Sequence, residues 1–456
     1  MPLRSPRKLT PELLGRADPL CPQQKEAFLA KGDNDNQGAY CRSSGFAIWD
    51  GRSLAGTTEG FMIEPSRHVP LRSEPWNQGG AVQAIDEIVG DALARFGGDQ
   101  FWPAHPLDGG TSDGHSSIYV GAAGVIWALE YLKRVGTTKA NFDFRPYLLQ
   151  LLERTKREMA TYEDYANNGS LLFGDMGTAL LIMRLEPSSS LADLIHMRAA
   201  ANTHLPIREL MWGMPGSMLA CLSMSEITGE ARWQAIYETQ AERLIADLQE
   251  TPDGPIWEQD LYDRHLKYLG PVHGYAGNMV PLLRGWEWLA EHQRARIADA
   301  VPRTLSKNAW RTDIGTSWRA TVGHDKPPGL CQYCHGAPGM VVTFADAPFE
   351  SAEFETLLVE GGQFSWAAGP LAKGSNLCHG TGGNGYAFLK LYRRTKDAMW
   401  LERARAFAMT AIAQCREARK EYGRGRYSLW TGDVGLAIYL WDCLTEAPHF
   451  PTIDIF

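Results

Sequence analysis

Residues 331–340, CQYCHGAPGM, and residues 376–389, NLCHGTGGNGYAFL, share a Cys-His-Gly triplet whose cysteines, Cys334 and Cys378, stand 44 positions apart. The likeness continues past the triplet into Gly-x-x-Gly and then an apolar run, so the pair reads first as a structural repeat and second as a chemical site. Five more copies of Gly-x-x-Gly before an apolar run occur, beginning at Gly121, Gly174, Gly213, Gly274 and Gly432. With those at Gly336 and Gly380 the total is seven, and the first glycines are separated by 53, 39, 61, 62, 44 and 52 residues. Such spacing suits one helical hairpin per repeat, with loops of varying length.

Between the glycine motifs lie amphipathic patterns. The clearest spans 397–420, where Trp400, Ala404, Phe407, Ala411 and Cys415 form one stripe while Arg403, Arg405, Glu417 and Lys420 fall largely elsewhere. Comparable patterns run through 81–96, 144–162, 231–248, 286–301 and 351–361, with a shorter one at 190–200. The segments after each glycine motif are apolar on nearly all sides, as helices buried inside a ring would be. Seven outer and seven inner helices predict an all-α fold, a closed (α/α)7 toroid over residues 76–456, preceded by an unassigned extension over 1–75. Within that extension FAIWDGRSLAG, residues 46–56, reads as a strand or hairpin. The glycines themselves point to positive φ angles or close chain approach at tight turns. A ring of hairpins delivers every such turn to one end of the barrel.

Composition narrows the partners. A net charge of -8 offers no basic patch for nucleic acid or an anionic membrane. The first twenty residues hold no apolar core, and nowhere do eighteen apolar residues run together, so neither a secretory signal nor a membrane span is expected. Eight unevenly spaced cysteines do not resemble a disulfide framework and are read as reduced thiols of a cytoplasmic protein. Cys221, Cys415 and Cys443 lie in apolar patterns, where a cysteine acts as a small buried hydrophobe.

Three loops carry a metal-ligating or titrating side chain directly before the first glycine: His273 in the fourth, Cys334 with His335 in the fifth, and Cys378 with His379 in the sixth. Two thiolates and one imidazole suit zinc, and three protein ligands leave a fourth position open, as catalytic zinc sites do. The candidate set is Cys334, Cys378 and His379. Cys331-x-x-Cys334 also fits a redox dithiol or half of a zinc ribbon, although a second paired knuckle and a βαβ setting are missing. Asp175 and Asp433 form a further option, a carboxylate pair like those of glycosidases, which leaves the Cys-His loops unexplained.

The seven hairpins, with CHGAPGM in the fifth loop and LCHGTGGNGYAFL in the sixth, resemble the lanthionine synthetase C-like (LanC-like) proteins, most specifically over residues 334–392. That resemblance implies an α/α toroid, zinc held by Cys334, Cys378 and His379, and addition of a thiol across the double bond of dehydroalanine or dehydrobutyrine. It also implies His273, aligned with the family's fourth-loop histidine, as the acid that protonates Cα, with His335 second. Inner-helix N-termini would then help to stabilise the thiolate and enolate.

Two departures bear on the branch. Peptide-cyclising members carry an arginine four residues before the fifth-loop cysteine and a tyrosine just after it, where this chain has Leu330 and His335. They also carry an aspartate four residues before an early-loop glycine, an offset held here by Ser117 and Ser170. Cys-His-Gly in both loops, Gly-Asp-x-Gly from Gly174, and Lys373-Gly374 look instead like the stand-alone branch, whose thiol is glutathione. Lys373 is then expected to contact a carboxylate of glutathione or of the substrate, a peptide or protein whose alkene a kinase or dehydratase supplies. Two readings stay open beside it: a cyclase closing lanthionine rings within one peptide, and a zinc- and glutathione-binding scaffold without turnover.

Overall fold

Every inner helix begins at the first glycine of a repeat. In the computed structural model, which describes residues 63–108, 113–161, 169–261, 264–323 and 325–456, these helices are α2 (Ala122–Arg134), α4 (Asp175–Leu185), α6 (Met214–Thr228), α8 (Tyr275–Arg284), α10 (Ala337–Phe344), α12 (Thr381–Thr395) and α14 (Asp433–Thr445). Alternating with them are the outer helices α1 (Gln78–Ala94), α3 (Leu148–Met159), α5 (Ser189–Asn202), α7 (Ala231–Ala246), α9 (Glu291–Lys307), α11 (Ala352–Ala368) and α13 (Ala398–Tyr422). Each inner helix touches the next one in the series, α14 returns to α2, and α1 packs on α14, which closes the double ring.

The two layers start their helices by different means. Four outer helices use side-chain caps, Asn77, Ser188, Ser351 and Asp397, each accepting a backbone N–H of the first turn. The inner helices have glycine at the cap and no side-chain hydrogen bond there. Their first N–H groups bond instead to the preceding loop: Thr381, Gly382 and Gly383 donate to the carbonyls of Gly374, Ser375 and Asn376 at 2.8, 3.2 and 3.2 Å. Folding the loop back this tightly presses its chain on the second glycine. A Cβ at Gly383 would lie 1.7 Å from the Leu377 carbonyl oxygen, and the equivalent contact recurs in every repeat. Close approach is therefore the shared reason for glycine, while positive φ applies at a single cap, Gly336, where φ is 110°.

Some details depart from the sequence pattern. The short segment at 190–200 forms a full helix because Ser188 caps it. Residues Trp286–Trp288 make only a 3-10 turn, and α9 starts at Glu291 and runs on to Lys307. Three antiparallel hairpins had no counterpart in the periodicity: β1 (Gln249–Thr251) with β2 (Gly254–Ile256), β3 (Gln259–Leu261) with β4 (Arg264–Leu266), and β5 (Ala309–Thr312) with β6 (Gly315–Trp318). Strands of three or four residues are too short to establish an alternation. The predicted strand at 46–56, with Cys21 and Cys41, lies outside the described residues. From residue 63 the chain is a strap across the loop end of the barrel: Val69 N–H donates to the Pro370 carbonyl, and Ala372 N–H to that of Arg67, both at 2.9 Å. No helix among the described residues is long and apolar enough to cross a membrane.

Candidate metal centre

Five of the seven loops at the glycine end are laced together by backbone hydrogen bonds two residues before their caps. Cys334 N–H donates to the Cys378 carbonyl (3.1 Å), Cys378 N–H to that of Trp430 (2.9 Å), Trp430 N–H to that of Tyr119 (3.1 Å), and Tyr119 N–H to that of Leu172 (2.9 Å). Within the fifth loop Gln332 and His335 exchange N–H···O bonds of 3.0 and 3.1 Å, a tight turn that carries Cys334. In the sixth, Asn376 Oδ1 accepts the His379 N–H at 3.0 Å. This lacing brings one donor atom each from Cys334, Cys378 and His379 within 4.8 Å of one another, all three residues buried.

A tetrahedral zinc ion with sulfur at about 2.3 Å and imidazole nitrogen at about 2.1 Å sets its donors roughly 3.5–3.8 Å apart, a small adjustment from this cluster. Two sulfurs and one imidazole are also the donor chemistry zinc prefers, so the residues present fit that ion. Cys331 is not part of the cluster. It is buried beside Ser365, and burial pushes its thiol up to about 12, which removes support from the dithiol reading.

Each clustered sulfur accepts a side-chain hydrogen bond. Tyr119 Oη donates to Cys378 Sγ at 2.7 Å, and Gln332 Nε2 to Cys334 Sγ at 2.9 Å. The Gln332 carbonyl in turn accepts from Arg67 Nη2 of the strap at 3.1 Å. The Cys334 thiol is held well below the usual thiol range, first by the hydrogen bond from the Cys378 sulfur and then by the His335 and His379 imidazoles, against the opposing effect of burial. Burial lowers both of those imidazoles, and the Cys334 charge partly offsets it.

His273 stands in the adjoining fourth loop. That loop abuts the fifth so closely that a Cβ at Gly270 would lie 2.2 Å from the Cys334 carbonyl oxygen and 3.1 Å from His335 Nδ1. His273 Nδ1 is 2.8 Å from Glu209 Oε2. Glu209 is fully buried and also accepts the N–H of Met211 at 3.1 Å and that of Trp212, so the carboxylate that orients the ring is itself fixed. His335 has no such support: its Nδ1 is buried with no hydrogen-bond partner among the described residues. Lys373 is exposed, and its charge bears on both His335 and His379.

Glu209 corrects one contrast drawn from the sequence. It lies four residues before Gly213, so a carboxylate does occupy that offset, in the third loop rather than at Ser117 or Ser170. The residue there is a glutamate and not the cyclases' aspartate, so that departure narrows to residue type while the one at Leu330 and His335 stands unchanged. A second correction concerns the inner-helix N-termini: at α12 the first three N–H groups are bonded to loop carbonyls, and at α10 the Ala337 N–H goes to Ser317 Oγ at 3.3 Å, so these donors are not aimed at the sulfurs. Asp175 is bound through both oxygens by Arg198, at 3.0 and 2.7 Å, and Asp433 by Arg419 at 3.0 Å. Each acid is tied to its own arginine, as structural ion pairs are.

Sequence reading passed over Arg67, Tyr119, Gln332 and Glu209. Tyr119 had a usable signal, because it precedes Gly121 by two residues, the offset at which Cys334 and Cys378 precede their own caps. Arg67 had none, since only the path of the strap brings it here.

A closed ring of seven helical hairpins with a Cys-Cys-His cluster at its glycine end defines a protein class, and the family model described as "Lanthionine synthetase C-like protein" matches residues 112–455. The chain belongs to that family. It is 38% identical over 266 residues to "LanC-like protein GCL1" of Arabidopsis thaliana, covering 54% of this chain and 58% of that protein. It is 33% identical over 192 residues to "Glutathione S-transferase LANCL1" of Danio rerio, covering 41% and 46%. The matches thus span about half the length of these curated relatives. Among solved structures the fold is similar to "Nisin cyclase", with a TM-score of 0.55 at 14% identity over 81% of this chain and 98% of the other.

Proposed function

We propose that this chain adds the thiol of glutathione across the double bond of dehydroalanine or dehydrobutyrine residues in peptides or proteins, using zinc held by Cys334, Cys378 and His379. The observation that carries this reading is the buried cluster of two sulfurs and one imidazole, a three-donor set that leaves one tetrahedral position to an incoming thiol, with an imidazole held by a buried carboxylate in the adjoining loop. The name of the zebrafish relative supports glutathione as the thiol. A zinc ion in such a cluster supplies a means of keeping an incoming thiol ionised at neutral pH, where a free thiol with a pKa near 8.5 is only a few per cent thiolate.

The chain's own residues do the rest. Arg67 and Lys373 are cations whose charge bears on the loops that carry the cluster; in this reading they receive the two carboxylates of glutathione. Attack of sulfur at Cβ moves the alkene electron pair toward the peptide carbonyl, leaving an enolate that requires a proton at Cα. His273 supplies that proton from Nε2, with Glu209 on Nδ1 fixing the tautomer and the ring plane and stabilising the imidazolium form. The test is incubation of purified protein with glutathione and a dehydroalanine peptide, followed by mass spectrometry. Wild type yields the thioether adduct above background, and Cys378→Ala loses both bound zinc and product. A Cys378→Ala protein that still forms adduct at the wild-type rate would overturn the reading.

A further inference from the structure

A site that presents dehydroalanine to a thiolate also presents it to its own cysteines. Three sulfurs on one tetrahedral ion stand less than about 4 Å apart, so an electrophile that reaches the incoming sulfur is within reach of Cys334 and Cys378 as well. Coordination withdraws charge from all three sulfurs alike and cannot by itself decide which one reacts. What separates them is what else touches each sulfur, and here both protein sulfurs accept a side-chain N–H or O–H: Cys378 from Tyr119 at 2.7 Å and Cys334 from Gln332 at 2.9 Å.

Both donors are held in place. The Tyr119 ring lies between Phe173 and Trp430, with centroids 5.2 and 5.3 Å away, and is 5% exposed. Gln332 is likewise 5% exposed, with its carbonyl occupied by Arg67, which leaves its amide N–H turned to sulfur. Resting on the thiol-addition reading above, we propose that Tyr119 and Gln332 restrain the nucleophilicity of the two cysteine ligands, so that the alkene reacts with the bound thiol and not with the protein. A hydrogen bond to a sulfur draws charge from the lone pair that would attack and so tunes a thiolate ligand from outside its coordination shell. The side reaction they suppress is itself balanced: cysteine sulfur bonds to Cβ, the π pair moves to Cα, a solvent proton is taken up there, and nothing leaves.

The test uses zinc-loaded full chain without glutathione: wild type, Tyr119→Phe, Gln332→Leu and the double variant, each treated in parallel with a dehydroalanine peptide and with N-ethylmaleimide. Intact mass and peptide mapping give the rate and the position of alkylation, and zinc content is measured before treatment. Removing a charge-assisted hydrogen bond is expected to raise the rate roughly tenfold, at Cys378 in Tyr119→Phe and at Cys334 in Gln332→Leu. Maleimide rates equal to wild type in both variants overturn the proposal, as does acceleration at the wrong cysteine. Loss of zinc from the conservative Tyr119→Phe variant also overturns it, because the tyrosine would then be holding the ligand in place. Should maleimide show the expected pattern while the dehydroalanine peptide reacts neither here nor with glutathione, the restraint stands and the assigned substrate fails.

Discussion

The fifth loop places His335 beside the Cys334 sulfur and the adjoining fourth loop carries His273 within electrostatic reach of His335, yet the two loops prepare their histidines differently. His273 has a buried carboxylate 2.8 Å from one nitrogen and retains 18% of its side-chain exposure. His335 has one nitrogen buried against Gly270 with no hydrogen-bond partner among the described residues, and burial lowers its affinity for a proton. An imidazole that must give up a proton and recover it needs a fixed tautomer and a charged form that the surroundings tolerate. The fourth loop supplies a carboxylate that fixes the tautomer and the fifth supplies none among the described residues, so two adjacent histidines are expected to divide into one acid and one packing residue.

The largest effect should come from exchanging the two. His273→Ala is expected to slow adduct formation by about 10²–10⁴-fold, the usual contribution of general acid catalysis, while His335→Ala stays within about tenfold and both keep their zinc. Glu209→Gln should fall between them, because it leaves the ring in place but replaces the carboxylate that orients it. Equal losses in His273→Ala and His335→Ala would erase the contrast between the loops. A smaller effect, on stability, should follow from Gly383→Ala: the new methyl meets the Leu377 carbonyl, and overpacking of this kind costs about 1–3 kcal/mol, readable as a lower denaturation midpoint.

The smallest expected effect lies away from both loops and serves as their reference. Buried His105 accepts the Leu107 N–H on Nδ1 at 3.1 Å, and burial takes its pKa from the ordinary 6.5 to about 4. The unfolded chain binds that proton below 6.5 while the folded one refuses it until about 4. The contribution to stability is therefore whole above 6.5 and is lost as pH falls toward 4. Melting temperatures measured across that interval should fall less steeply for His105→Gln than for wild type.

The ring was legible because it is local information repeated seven times: a glycine pair needed for close approach, an apolar helix after it, an amphipathic helix before it. The clustering of Cys334, Cys378 and His379 was legible for a related reason, since they occupy corresponding offsets in neighbouring copies of one unit. Glu209 also lay at a recognisable offset, yet an acid in a loop reads as solvated surface until burial and a histidine partner are seen. The three short hairpins escaped notice because three or four residues cannot establish a period.

By itself, then, the amino-acid order determined the repeat, the two layers of helices and the trio of side chains that could hold a metal, because each depends on contacts within one hairpin or on equivalence between hairpins. Tertiary structure alone decided which histidine gained a carboxylate, which side chains touch the sulfurs and where Arg67 comes to lie. Those pairings join residues 64, 259 and 265 positions apart, and only closure of the ring, with the strap laid across its end, brings such distant residues within hydrogen-bonding range.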